Sequence, residues 1–243
     1  MAHARPNLSV DARRLEVEAD AAAAATRAAE LAAAQLRDGL GARGRATLAV
    51  SGGRTPERML ALLAREELAW DRIDVFQVDE RVAPAGDADR NALQLRRAFA
   101  ARLATQPERF HFMPVESADS SAGAAAYARE LAAAAGDPPT LDVVHLGLGS
   151  DGHVASLFPG SALLDDTRVP VAVTPEAHEG RRRMTLTLPV LARARLVLLL
   201  VTGADKRGVL ARLMANDRGL VASRVPPARA MIVADLEAAP SIP

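Results

Sequence analysis

The chain has 243 residues, with 30 Lys+Arg balanced by 30 Asp+Glu, 49% apolar residues, 3% aromatics and no cysteine. The missing cysteines exclude disulfides, thiolate metal sites and a thiol nucleophile. Zero net charge removes the global positive field that gathers a polyanion, and scarce aromatics remove a base-stacking surface. Nucleic acid is therefore not an expected partner, whereas a small anion, which needs only two or three local cations, remains one. The longest apolar run, residues 196–201, is too short to cross a bilayer. Near the N-terminus Arg5, Arg13 and Arg14 give way to Glu16, Glu18 and Asp20 with no signal-peptide pattern. A cytoplasmic protein with no membrane association, folded as a single α/β domain over residues 1–243, is the expectation.

In chain order, residues 8–17 read as an edge strand or a lead-in. Residues 20–40, rich in Ala, Glu and Arg, read as a long helix ended by Gly41. Residues 46–50 form a short apolar strand, followed at once by Ser51-Gly52-Gly53-Arg54-Thr55-Pro56 and a helix with Thr55 as N-cap and Pro56 as its first residue. A strand, a glycine turn and a helix N-terminus present free N–H groups at the positive end of a helix dipole, which suits an anion. The turn lacks the GK[ST] ending of a Walker loop and the GxGxxG of a dinucleotide fingerprint. Taken alone, it reads equally well as an ordinary capped turn.

Residues 73–78 are the next strand, ending in Asp79-Glu80-Arg81. These charges either reach the same sheet edge or form a solvated loop with a local ion pair. An Arg-rich helix then runs to about Leu103, and Asn91 is placed to cap it or to reach a ligand, capping being the better fit. Residues 109–113 suggest a short strand and residues 117–135 a helix closed by Gly136, Pro138 and Pro139.

The stretch 141–160 carries the strongest chemistry. It opens as a buried strand and turns through Gly147, Gly149 and Gly152 to deliver Asp151 and His153. His153 is expected to begin a short helix over 153–157. An imidazole at a strand's C-terminal end is a candidate general base near pH 7, with Asp151 placed to orient it. Asp-x-His offers two metal ligands where a site needs three or more, so no metal is expected. Gly149-Ser150-Asp151-Gly152 is not a G-x-S-x-G nucleophile elbow. Ser156 reads as packing, His111 and His145 as core or edge histidines, and His178 as surface.

Residues 168–174 read as a strand, 178–183 as a polar connector, 184–187 as a strand or helix lead-in, and 189–194 as a short helix. Residues 196–201 form a strong buried strand. Thr202-Gly203-Ala204-Asp205-Lys206 then enters a helix to Met214 with Lys206 in its first turn, and residues 230–233 form a last strand. This alternation implies an open, mainly parallel twisted sheet with helices on both faces, Rossmann-like in class. Loops leaving parallel strands share one edge. Ser51-Gly52-Gly53, Asp79-Glu80-Arg81, Asp151-Gly152-His153 and Lys206 should therefore converge on one crevice.

Together with Asn91, Gly147-Leu148-Gly149-Ser150-Asp151-Gly152-His153-Val154-Ala155-Ser156-Leu157-Phe158-Pro159 and Arg183-Met184-Thr185-Leu186-Thr187, these motifs resemble, in family order, the 6-phosphogluconolactonases. That family lies within the wider superfamily of glucosamine-6-phosphate isomerases and deaminases. Deaminases of the superfamily follow G-x-G-x-D-G-H with an Asn-Glu-Pro ending that supplies another carboxylate. Here Phe158 stands at that end, so the resemblance is to the lactonase branch, with an aldose–ketose isomerase or deaminase as the alternative.

The resemblance implies hydrolysis of 6-phospho-D-glucono-1,5-lactone in the oxidative pentose phosphate pathway, without a cofactor, by a monomer or weak homo-oligomer acting on a small phosphorylated sugar lactone. It implies that His153 activates water and then protonates the departing ring oxygen, with Asp151 positioning it. Backbone N–H groups over 147–152, Gly149 among them, would meet the oxyanion. Ser51, Gly52, Gly53 and Thr55 would surround the phosphate, with Arg54, Arg81 and Lys206 as counter-charges. Asp79 and Glu80 would contact sugar hydroxyls or hold Arg81, and Asn91 and Arg183 match family positions. The chain departs from the family at Arg90, where Ser is common, and at Glu179-Gly180-Arg181-Arg182, where a Lys-Pro-Pro-like run is common.

Overall fold

The computed structural model describes residues 13–166 and 168–240, apart from the side chain of Arg54. The first part of the strand expected over 8–17 lies outside these residues. Its described part is β1, Arg14–Glu18. The first helix, α1, spans Ala21–Arg43: Asp20 caps it by accepting the Ala23 N–H at 2.8 Å. It passes through Gly41 and stops at Gly44, whose φ of 69° is the left-handed turn that ends helices. One face is a stripe of buried alanines from Ala24 to Ala33 with Leu36, small enough to lie close on the sheet.

The remaining strands are β2 Ala46–Val50, β3 Ile73–Gln77, β4 Asp79–Arg81, β5 Phe110–His111, β6 Val143–Leu146, β7 Val171–Val173, β8 Arg183–Leu186, β9 Leu196–Val201 and β10 Ala230–Asp235. The remaining helices are α2 Arg54–Leu63, α3 Asn91–Ala98, α4 Ala100–Thr105, α5 Ser120–Ala135, α6 Leu188–Arg193 and α7 Arg207–Met214. The Arg-rich helix expected as one piece is thus two, broken at Phe99. That ring is fully buried, edge-on to Trp70 at 5.7 Å.

Seven strands form one open parallel sheet in the order β1-β10-β9-β6-β2-β3-β5. From β2 the chain builds outward through β3 and β5. It then crosses back to lay β6 on the other side of β2, and continues to β9 and β10. The reversal falls between β2 and β6, the point in such a sheet where loops diverge and ligands bind. Both faces are covered. Helices α1, α2 and α3 pack Leu36, Met59 and Leu95 against Leu48, Val75 and Leu198. Helices α5, α6 and α7 pack Tyr127, Leu191 and Leu210 against Phe76, Val144 and Leu199.

Asp79-Glu80-Arg81 is not a solvated loop. It is β4, the edge of a second, antiparallel sheet in the order β4-β8-β7, with Asp79 opposite Thr185 and Arg81 opposite Arg183. Among the described residues no helix is long and apolar enough to cross a membrane.

Candidate active site

The loops after β2, β6 and β9 enclose a cavity of about 130 Å³ lined by Gly52, Gly53, Thr55, Pro56, His145, Gly147, Leu148, Leu200, Val201, Thr202 and Lys206. Helix α2 starts earlier than expected, with Gly53 as N-cap and Thr55 already in its first turn. Gly53 takes φ 116°, which only glycine adopts freely. Gly52 has no room for a side chain, since a Cβ there would lie 2.1 Å from Asn91 Oδ1. Ser51 donates its hydroxyl to the His145 carbonyl at 3.1 Å, tying the turn to β6. The Gly53 N–H is donated to Gln94 Oε1 at 2.5 Å, from a residue the sequence did not single out. Lys206 closes a short turn of 3₁₀ helix just before α7, and Asp205, at 3.7 Å, is its ion-pair partner. The side chain of Arg54 lies outside what the structure describes.

The second loop holds the catalytic candidates. Asp151 Oδ1 accepts both the His153 ring Nδ1–H, at 2.6 Å, and the His153 backbone N–H, at 3.1 Å. A carboxylate partner fixes the tautomer, so the lone pair sits on Nε2. Burial pushes the Asp151 carboxyl up, but the His153 N–H and imidazole outweigh it and hold it below its ordinary value. Gly149 gives the ring its place: a Cβ there would lie 2.1 Å from Nδ1. Gly152, at φ 87°, presses against Leu220, and its carbonyl accepts the Ala222 N–H at 3.1 Å.

Two expectations are corrected in this loop. No helix begins at His153, because residues 154–157 form a tight turn closed by a bridge between Val154 and Leu157. No helix dipole therefore acts on the ring. Nor is the Gly149 N–H a free oxyanion donor, being donated to the His153 carbonyl at 3.0 Å. The Gly152 N–H is likewise spent on the Gly149 carbonyl, at 2.9 Å.

The β4 residues behave differently from one another. Asp79 is buried and accepts the Ser156 hydroxyl at 2.6 Å, so Ser156 is a polar tie rather than apolar packing. Burial raises the Asp79 carboxyl, against the opposing pull of Ser156, Arg81 and Arg183. Asn91 does not cap α3; its Nδ2 donates to the Asp79 carbonyl at 2.9 Å, and its Oδ1 is buried without a partner among the described residues. Glu80 supplies the cap instead, accepting the Asn91 and Ala92 N–H groups at 2.8 Å each, together with Arg81 N–H and Gln77 Nε2. Arg90 pairs with it at 3.2 Å. With both oxygens engaged and no exposure, Glu80 holds the frame and has no free face for a sugar hydroxyl. Arg81 reaches the Asp89 carbonyl.

Arg183 bonds Glu179 at 2.9 Å, and its guanidinium lies 6.0 Å from the Phe158 ring centre. His178, expected on the surface, stacks on that ring at 3.8 Å. Its centre lies 6.1 Å from His153, while Phe158 is 4.8 Å from His153. Nothing in the local pattern marks His178, because its loop reaches the site only through the antiparallel sheet. A larger cavity, about 510 Å³, lies at the opposite strand ends among Arg45, Arg72, Asp74, Arg109, His111 and Glu130, remote from these loops.

A family model described as glucosamine-6-phosphate isomerases/6-phosphogluconolactonase matches residues 19–235. A 6-phosphogluconolactonase of Synechocystis sp. is 39% identical over 180 residues, covering 72% of this chain and 74% of the relative. Among solved structures, a 6-phosphogluconolactonase from Trypanosoma cruzi aligns with a TM-score of 0.81 at 26% identity, covering 94% of this chain and 96% of the other. A monomeric glucosamine-6-phosphate deaminase aligns with a TM-score of 0.79 at 18% identity, covering 93% and 98%, a likeness of fold alone.

Proposed function

The chain belongs to the glucosamine-6-phosphate isomerase/6-phosphogluconolactonase family, and we propose that within it the chain is a lactonase, opening 6-phospho-D-glucono-1,5-lactone to 6-phospho-D-gluconate in the oxidative pentose phosphate pathway. The observation that carries this reading is the 2.6 Å pair of Asp151 and His153 on the loop that also walls the Lys206 cavity. Substrate enters with its phosphoryl group in that cavity, against the N-terminus of α2, Thr55 and Lys206. Anchored there, the lactone carbonyl lies toward His153.

Nε2 of His153 takes a proton from water as the water oxygen adds to the lactone carbonyl carbon. The resulting imidazolium is steadied by Asp151. The N–H of Ser150, which has no acceptor among the described residues, serves the developing oxyanion. Collapse of the tetrahedral adduct breaks the bond from C1 to the ring oxygen. That oxygen takes the proton from His153, and the ring is neutral again. Hydrolysis needs one acid–base group, and one is what this loop supplies. An isomerase or deaminase needs a further proton relay, and Phe158 fills that side of the imidazole with an inert ring.

The test is His153→Ala. Turnover, measured as acid release against an enzyme-free blank, should fall by about 10²-fold or more, the usual scale for a general base, with an unaltered melting profile. Wild-type turnover in this variant would remove His153 from the mechanism. Ammonia release from glucosamine 6-phosphate by the unmodified protein would replace the lactonase reading with deamination.

A further inference from the structure

His145 is left over from this mechanism. It lies on β6 between Val50 of β2 and Leu198 of β9. Side chains alternate along a strand, so its ring shares a face with Val143, which packs on the α1 and α2 side of the sheet. Leu200, on that same face of β9, and Pro56 of α2 both line the cavity, so the ring faces into it.

The ring is 1% exposed, and neither Nδ1 nor Nε2 has a hydrogen-bond partner among the described residues. A neutral imidazole always carries one N–H donor and one acceptor nitrogen. Leaving such groups buried and unpaired is costly, and unpaired cases in folded proteins call for a reason. Neighbouring positions on this face, Leu198 and Leu200, are filled by leucine at no such cost. With burial as its cause, the ring is pushed down to about 4 and is neutral near pH 7. The cavity also holds groups that can donate or are positive: the turn at Gly52, the N-terminus of the ten-residue α2, the Thr55 and Thr202 hydroxyls and Lys206. The missing partner is an acceptor with several oxygens.

We propose that His145 is a ligand for the substrate's phosphoryl group, donating a ring N–H to a phosphoryl oxygen from the strand floor of the cavity, across from the Gly52 turn and Lys206. This rests on the reading of the cavity as the phosphoryl site. It adds to the helix terminus and the lysine a donor held rigidly by the sheet.

Inorganic phosphate, and separately 6-phosphogluconate, is titrated into the uniformly ¹⁵N-labelled protein while the imidazole nitrogens are followed by NMR. The His145 signals are identified by their loss in His145→Leu and, independently, in His145→Gln. They should shift saturably with either anion. His145→Leu should bind 6-phosphogluconate roughly ten-fold more weakly, the scale of a hydrogen bond to a charged group. The ratio of kcat/KM for the phosphorylated lactone to that for unphosphorylated glucono-1,5-lactone should fall by the same factor. His145→Gln, which keeps a donor, should recover most of the affinity. Unmoved His145 signals at saturating anion, or undiminished binding by His145→Leu, would overturn the inference. The labelled wild-type titration decides the matter even if the leucine variant does not fold. Phosphate shifts at His145 in a protein without lactonase activity would sink the proposed reaction and leave this site standing; lactonase activity with silent His145 signals would do the reverse.

Discussion

Replacing Gly149 by alanine puts a single methyl group where the imidazole now rests. The added Cβ would lie 2.1 Å from His153 Nδ1, 2.3 Å from Cε1 and 2.7 Å from Asp151 Oδ1, all inside the 3.4 Å at which ordinary contact begins. The ring must therefore retreat by about 1 Å, a displacement of the size that costs roughly 10²-fold in turnover when it misaligns a reacting group. The 2.6 Å bond to Asp151 does not survive that shift. Gly149 does not have a positive φ, so the backbone itself tolerates alanine. Gly149→Ala should keep its fold by circular dichroism and lose about two orders of magnitude in kcat. KM should change far less, because Gly149 is not among the residues lining the cavity proposed for the phosphoryl group. A pH-stat follows the carboxylic acid released, against an enzyme-free blank for spontaneous lactone opening. A variant turning over within a few-fold of wild type would mean that the observed contact of ring and carboxylate is not the catalytic arrangement.

Lys206→Ala should raise KM with little change in kcat, as expected for an anchor that holds ground and transition states alike; a lowered kcat at unchanged KM would move Lys206 out of the phosphoryl site. Glu80→Gln turns an amide NH₂ toward N–H donors and takes from Arg90 the buried one of its two carboxylate partners, leaving it Glu116, so urea denaturation should register a loss of about 3 kcal/mol, the scale of breaking a buried ion pair. An unshifted midpoint would show that Glu80 is not the frame it looks to be. At the opposite strand ends, burial lowers the His111 pKa, but Asp74 and Glu130, at 3.0 and 3.1 Å, outweigh it and raise it above its ordinary value. Its stabilisation is complete below the unfolded value and fades as pH rises through the folded one. The stability difference between wild type and His111→Gln should therefore be larger at about pH 6 than at about pH 9, and an equal difference at both would refute the assignment.

The rim of the parallel sheet was legible because its signals are local. Apolar runs ending at Val50, Leu146 and Val201 pass straight into glycine turns, and those turns carry Gly52, Thr55, His153 and Lys206. Periodicity marks a strand and a glycine marks its exit, whatever the distant chain does. What escaped depends on partners far along the chain. Asp79-Glu80-Arg81 becomes a strand only by pairing with Arg183-Met184-Thr185. His178 joins the site through the loop that precedes that strand, and Glu80 caps α3 from eleven residues away. The helix expected at His153 failed for a different reason: Ala155, at φ 53°, turns the chain through the left-handed region, and no composition rule anticipates an alanine there.

The reversal of the sheet between β2 and β6 has a consequence for how such a rim can be altered. The turn proposed to hold an anion leaves β2, the loop proposed to move protons leaves β6, and Lys206 follows β9. These are three separate segments of chain, side by side in space and tied by contacts to the backbone such as the Ser51 N–H and hydroxyl on the His145 carbonyl. On the proposed reading, changes after Gly152 can therefore exchange one proton chemistry for another while the grip on the phosphoryl group stays as it was. A rim divided in this way is evolvable one loop at a time, with the handle fixed and the tool replaceable.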